Sequence, residues 1–80
     1  MTTKTNRPLY EIAEEIRRDW KKVYFSAVPY LDAMQTLNNI TDNYYQDSGK
    51  SIVLYFLCNA GTWRGDTARR DKAELKAMSK

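Results

Sequence analysis

The feature that most constrains the fold of this chain is an unbroken run of seven apolar residues at positions 52–58. Nothing else in the 80 residues is as hydrophobic, so the core has to form on it. Its periodicity alone is ambiguous, because Ile52, Val53 and Tyr55 also suit a strand. The stretch from the preceding Ser48 to Trp63 is, however, long for a strand. The only other β-rich stretch, residues 23–28, would give an unstable two-stranded ribbon.

We therefore predict a helix over about residues 49–61, capped by Asp47 or Ser48. A helix that is apolar on most sides is usually surrounded by other helices, so we place it at the buried centre of the domain. Its single cysteine, Cys58, cannot form an internal disulfide. We expect Cys58 to behave as a small buried hydrophobe and not as a reactive or dimer-forming thiol.

Three further segments show helical patterns. The first covers about residues 8–22, with Pro8 in the first turn and apolar residues at helical spacing from Leu9 onward. The second covers about 27–38, with Ser26 as N-cap and Pro29 inside the first turn. The last covers about 66–79 and is capped by Asp66 or Thr67. Residues 23–28 either extend the first helix or link it to the second.

These patterns together predict an all-α fold, a compact four-helix domain with a buried central third helix. Residues 1–80 form one domain, and residues 1–6 are expected to be frayed. Residues 38–49 are rich in Asn, Asp, Ser and Gly, which indicates a long loop of the kind that often carries function.

The charge of the chain is uneven. The formal net charge is +3, and residues 63–80 carry six Lys or Arg against three Asp or Glu. Such asymmetry can indicate an acidic partner. With 42% hydrophobic residues and many aromatics, the composition is that of a globular domain and not of a disordered chain.

The residues needed for common catalytic chemistry are missing. The chain has no histidine and one cysteine, which excludes zinc sites of the Cys/His kind and Ser-His-Asp or Cys-His catalysis. Residues 47–51, DSGKS, end like a phosphate-binding loop, but Tyr44 stands where that motif requires glycine. We therefore predict no enzyme activity, no cofactor and no metal.

We expect a cytoplasmic protein that has no membrane partner. Residues 1–8 contain no apolar segment of the kind found in signal peptides. The seven-residue apolar run is too short to cross a bilayer, which takes about 20 residues. The single cysteine also fits a reducing compartment.

The stretch from Trp63 to Arg70 is the most suggestive one for binding. An aromatic residue next to arginines is typical of sites that stack on bases and neutralise phosphates. The alternative is that Trp63 covers the core while the arginines are solvated, and Arg69 and Arg70 could equally pair with the acidic first helix.

Residues 19–34, 47–57 and 62–76 resemble small bacterial proteins of uncharacterised activity from phage and mobile-element contexts. The resemblance covers most of the chain. It implies an accessory protein that binds something encoded by the host, and it assigns no activity and no site residue.

The sequence thus leads to two hypotheses about function. The first is a small non-enzymatic interaction module, an adaptor or inhibitor, that binds another protein through residues 38–49 and the stretch from Trp63 to Arg70. The alternative is a domain that binds DNA or RNA through its basic C-terminal helix. A homodimer is compatible with both. The candidate interaction residues are Tyr44, Tyr45, Trp63, Arg64, Arg69, Arg70, Lys72 and Lys76.

Overall fold

Four α-helices and a minimal β-hairpin form the part of the chain that the computed structural model describes, residues 7–79. The helices are α1 (Leu9–Asp19), α2 (Val28–Met34), α3 (Gly49–Cys58) and α4 (Asp66–Met78), and a 3₁₀ turn, Phe25–Ala27, precedes α2. Strands β1 (Asn43–Tyr44) and β2 (Asp47–Ser48) pair antiparallel, with Asn43 opposite Ser48. The predicted all-α, four-helix fold is confirmed, apart from the two two-residue strands, which were not predicted. The predicted fraying of residues 1–6 lies outside the described residues.

The first two helices are shorter than predicted. Helix α1 ends at Asp19, and residues 20–27, which include the 3₁₀ turn, link it to α2. Helix α2 begins after Ala27, which caps it without a side-chain hydrogen bond, so the prediction of Ser26 as N-cap is wrong. Pro29 lies in the first turn as expected, because a residue there has no helical partner for its N–H.

Helix α3 starts where the sequence predicted. The backbone N–H of Ser51 donates to Ser48 Oγ at 3.1 Å, which confirms Ser48 as the N-cap. Gly49 is required for a close approach of the loop: a Cβ at this position would lie 2.7 Å from the Ile40 carbonyl oxygen. Its N–H also donates to the Asp42 carbonyl oxygen at 2.6 Å. A larger residue would force the loop away from the helix.

Helix α4 begins after Gly65 and not after a side-chain cap. Gly65 has φ of 117°, a conformation that residues with a Cβ rarely adopt, and it turns the chain into the helix. The prediction that Asp66 or Thr67 caps this helix is therefore wrong, and Asp66 lies in its first turn.

The core is a stack of aromatic rings surrounded by aliphatic side chains from all four helices. Trp20 and Trp63 lie nearly parallel with ring centroids 5.8 Å apart, and Phe56 contacts both rings edge-on. The largest fully buried aliphatic residues around them are Leu9, Ile12, Ile16, Leu31, Met34, Val53 and Leu75. Aromatic pairs in these geometries stabilise a core beyond the area that they bury.

Helix α3 packs against α2 and α4, and its residues Ile52, Val53 and Phe56 are buried. Its opposite side is open to solvent, where Leu54, Tyr55 and Cys58 are exposed. The prediction of a buried Cys58 is therefore wrong. A small domain has too few neighbouring elements to cover every side of an apolar helix.

Candidate interaction surfaces

The β-hairpin presents a tyrosine to solvent at its tip. Tyr45 is 87% exposed, and it follows β1 in the two-residue turn that it forms with Gln46. Its φ of 57° makes it the one non-glycine residue with positive φ among residues 7–79. For a bulky aromatic residue this is an unusual conformation, of the kind that accumulates at functional positions.

Hydrogen bonds fix the chain below this tip. One Asp42 carboxylate oxygen accepts from the backbone N–H groups of Asn38 and Asn39, at 3.0 Å each. Tyr44 is half-buried against the core, and its ring contacts that of Tyr45 edge-on at 4.7 Å. Of the two tyrosines predicted to interact, Tyr44 therefore supports the hairpin and Tyr45 is displayed by it.

Trp63 is a core residue and is not available to a partner. Only 2% of it is exposed, and its Nε1–H donates to Asp19 Oδ2 at 2.8 Å. Lys72 covers it from outside: Nζ donates to the Trp63 carbonyl oxygen at 2.7 Å and lies 5.8 Å from the centre of the ring. Burial lowers the pKa of Lys72, and the charges of Arg64 and Lys76 add to this effect. The alternative that Trp63 covers the core is thus the correct one.

The arginines of α4 differ in their partners. Arg70 donates to Glu15 at 3.0 Å, which confirms the predicted pairing with the first helix. Arg69 instead pairs with Asp66 on its own helix, where both side chains are well exposed. Arg64 and Lys76 are exposed and make no ion pair within residues 7–79.

The two predicted interaction regions do not form one surface. The hairpin enters α3 at its first residue, whereas the stretch from Trp63 to Arg70 follows the end of α3. A helix of ten residues is about 15 Å long, so its length separates the two regions. If both bind, they contact different parts of a partner.

A cluster of ionisable side chains connects the N-terminal end of α1 to α4. It was not predicted from the sequence. The Arg7 guanidinium donates to Glu15 at 3.0 Å, to Asp71 at 2.9 Å and to Glu74 at 2.7 Å. Asp71 is fully buried, and its Oδ2 has no partner within the described residues. The pairs link positions 64 and 67 residues apart, and no local pattern signals such contacts.

The two carboxyl groups of this cluster differ in acidity. Burial raises the pKa of Asp71 to about 6, and the neighbouring Glu15 carboxylate, to which a protonated Asp71 could donate a hydrogen bond, adds to the rise. The same hydrogen bond, followed by those from Arg7 and Arg70, lowers the pKa of Glu15. Such a pair can share one proton through a hydrogen bond from the protonated Asp71 to Glu15. The arrangement is a structural contact between helices.

Exposed rings also occur outside the predicted residues. Tyr24 and Phe25 follow the basic end of α1 and are 44% and 75% exposed, with ring centroids 5.0 Å apart. On the open side of α3, Tyr55 stacks on Tyr30 at 5.7 Å. The two lysines followed by two aromatic residues in positions 21–25 could have indicated the first group.

A surface hollow of about 150 Å³ lies between the loop before the hairpin and the end of α4. Its lining includes Arg7, Ile40 and Met78. Within residues 7–79 no cluster of three or more acidic or cysteine side chains is placed to hold a metal ion. In the same part of the chain no helix is long and apolar enough to cross a membrane.

Comparison of the chain with protein-family models, curated proteins and solved structures found no match.

Proposed function

We propose that this protein is a small non-enzymatic interaction module, an adaptor or inhibitor, that binds another protein through the tip of its β-hairpin. The observation that carries the proposal is Tyr45, which is 87% exposed and held in a left-handed backbone conformation. As part of the same proposal the protein acts in the cytoplasm, on a partner encoded by a bacterial host.

The conformation of Tyr45 supports a binding role because it has an energetic cost. A non-glycine residue with positive φ costs on the order of 1–3 kcal/mol, and such strain clusters at functional sites, although two-residue hairpin turns also favour positive φ at their first residue. No internal contact of the exposed ring offsets that cost beyond its edge-on contact with Tyr44. Contact with a partner would explain why an aromatic residue is kept exposed at this position.

The anchoring of the hairpin supports the proposal further. Asp42 fixes the loop before β1, and Gly49 fixes the chain after β2 through its hydrogen bond to Asp42. A tyrosine that is already oriented loses little conformational freedom on binding. Tyrosine is also among the residues that dominate binding energies at protein interfaces.

The alternative, nucleic-acid binding through α4, has less support. Arg70 and Lys72 already have partners inside the molecule, in Glu15 and the Trp63 carbonyl group. Among the described residues, the exposed cations there that contact no other helix are Arg64, Arg69 and Lys76, and Arg69 pairs with Asp66 on its own helix. This set is small for a phosphate-binding helix, which neutralises several phosphates at once.

Affinity capture from a nuclease-treated bacterial lysate tests the proposal. Tagged wild-type protein should recover a protein partner, and Tyr45→Ser should recover at least about tenfold less, the effect of removing a residue that dominates an interface. Tyr10→Ser is the matched control, because Tyr10 is also an exposed tyrosine and lies on α1 and not on the hairpin. Equal recovery by both variants, or loss of the partner after nuclease treatment, would overturn the proposal.

A further inference from the structure

The chain displays cations and aromatic rings side by side where it leaves α1. Arg18, Lys21 and Lys22 are exposed and make no ion pair within residues 7–79. Tyr24 and Phe25 follow directly and are among the most exposed rings of the described chain. We call these five residues the basic–aromatic corner.

Covalent geometry keeps the lysines of the corner close to its rings. Consecutive Cα atoms lie about 3.8 Å apart, so the Cα atoms of Lys22 and Tyr24 are separated by no more than about 8 Å. The backbone below the rings is anchored, because the Ala27 N–H donates to the Tyr24 carbonyl oxygen at 2.8 Å and Ala27 is fully buried. The two rings contact each other edge-on, which leaves a face of Phe25 open to solvent.

The charge around the corner is positive. Residues 17–25 contain four Lys or Arg and one acid, Asp19. That carboxylate accepts from Trp63 Nε1 and so belongs to the core contact. Arg17 is engaged by Asp32 of α2, which leaves the three cations of the corner for an outside partner.

We propose that the basic–aromatic corner binds single-stranded nucleic acid. Lysine and arginine side chains would neutralise successive phosphates, and the open faces of Phe25 and Tyr24 would stack on unpaired bases. In a duplex the bases are already stacked, so the rings gain less from it. Every base offers a face on which an aromatic ring can stack, so we expect binding to depend little on sequence. This inference does not depend on the proposed function of Tyr45.

Fluorescence anisotropy with a labelled oligothymidine of about 15 nucleotides tests the inference, since one small site covers roughly 4–16 nucleotides. The wild type should bind at low salt and weaken steeply as salt is added. Phe25→Ala should weaken binding about tenfold, which is the usual effect of losing one stacked base. Phe25 is 75% exposed, so this variant keeps the fold.

Charge reversals locate the site. The double variant Lys21→Glu, Lys22→Glu should abolish binding. The control double variant is Arg64→Glu, Lys76→Glu, at a residue before α4 and a residue on it. It makes the same change in net charge and should have a several-fold smaller effect on binding. Tyr45→Ser should bind the oligonucleotide like the wild type. This result separates failure of this inference from failure of the protein-binding proposal.

Four results would overturn the inference. They are no binding by the wild type at low salt, equal loss in the two charge-reversal variants, no effect of Phe25→Ala, and a duplex bound as tightly as the single strand. A parallel measurement with anionic lipid vesicles completes the test. Binding to vesicles without binding to the oligonucleotide would assign the corner to a membrane surface instead.

Discussion

Arg7 and Asp71 form a 2.9 Å ion pair between the start of α1 and the middle of α4, and the Asp71 side chain is fully buried. Since Arg7 also contacts Glu15 and Glu74, one cation faces three carboxyl groups. Arg70 adds a second positive charge at Glu15. With every group ionised, the cluster carries one negative charge in excess, and this excess adds to the effect of burial in raising the pKa of Asp71.

Replacement of Asp71 by asparagine should stabilise the protein at neutral pH. Because the pKa of Asp71 is raised from 3.8 to about 6, its protonation favours the folded state, and this stabilisation is lost as pH rises through 6. The asparagine side chain keeps an oxygen for Arg7 and gains an N–H for Glu15 at every pH. The difference in unfolding free energy, Asp71→Asn minus wild type, should therefore grow by on the order of 1–3 kcal/mol between pH 4 and pH 7.5.

Urea unfolding at the two pH values measures this difference. Asp66→Asn is the control on the same helix, because Asp66 is exposed and its pair with Arg69 is worth little. The lowered pKa of Glu15 acts in the opposite direction, since its contribution is lost as pH falls. We expect it to persist largely in Asp71→Asn, because the amide N–H can replace the hydrogen bond from Asp71 and the pairs with Arg7 and Arg70 remain. A pH-independent difference between Asp71→Asn and wild type would contradict the account.

Gly49→Ala should destabilise the fold, by about 1–3 kcal/mol, the usual cost of forcing atoms into a packed site. The new Cβ would lie 2.7 Å from the Ile40 carbonyl oxygen, so the loop before the hairpin has to move. Gly61→Ala is the matched control, because a Cβ there meets nothing within 4 Å and its φ is not positive. Equal stability of the two variants in thermal unfolding would show that the loop does not press on Gly49.

Trp63→Phe should lower the unfolding free energy, by about 1–3 kcal/mol, since it removes core volume and leaves Asp19 without its hydrogen bond. Phe25→Ala, at an exposed ring, should change it by less than about 0.5 kcal/mol. Chemical unfolding of the two variants checks the contrast. If Trp63→Phe is as stable as the wild type, Trp63 is not a core residue and becomes a candidate interaction residue again.

Cys58 should react with a thiol-specific alkylating reagent in the folded protein. Its side chain lies on the open side of α3, so no unfolding is needed for access. Mass spectrometry should show that the native and the urea-unfolded protein are alkylated at rates within about tenfold of each other. Access to the thiol and its thiolate fraction set the rate, and an exposed thiol is accessible in both states. Alkylation that appears only in urea would show that this side of α3 is covered.

Local signals in the sequence located most of the secondary structure. Ser48 was identified as a cap because its hydroxyl can accept from the first turn, and Pro29 was placed correctly because only the first turn tolerates it. The end of α1 was misjudged because the apolar spacing continues through Trp20 to Val23, beyond the last helical residue. Hydrophobic spacing marks which side is buried and does not mark where the backbone leaves the helix.

The candidate sites were harder to predict because they depend on contacts between distant residues. The burial of Trp63 follows from its stack on Trp20, a contact between distant residues. The arginine next to Trp63 in the sequence had suggested a binding residue instead. The positive φ of Tyr45 has no sequence signal, since Gly or Asn usually occupies such a position. The exposure of Cys58 depends on how many helices surround α3, and residue patterns do not give that number.

The most direct test of the central claim is site-specific photo-crosslinking from position 45. Replacing Tyr45 with a benzophenone amino acid keeps an aromatic ring at the tip of the hairpin, and the same replacement at Tyr10 and Tyr55 provides exposed reference positions. After irradiation in a nuclease-treated bacterial lysate, position 45 should give a discrete adduct with one protein, absent at the two reference positions. An adduct at Tyr55 or Tyr10 with none at position 45 would contradict the account.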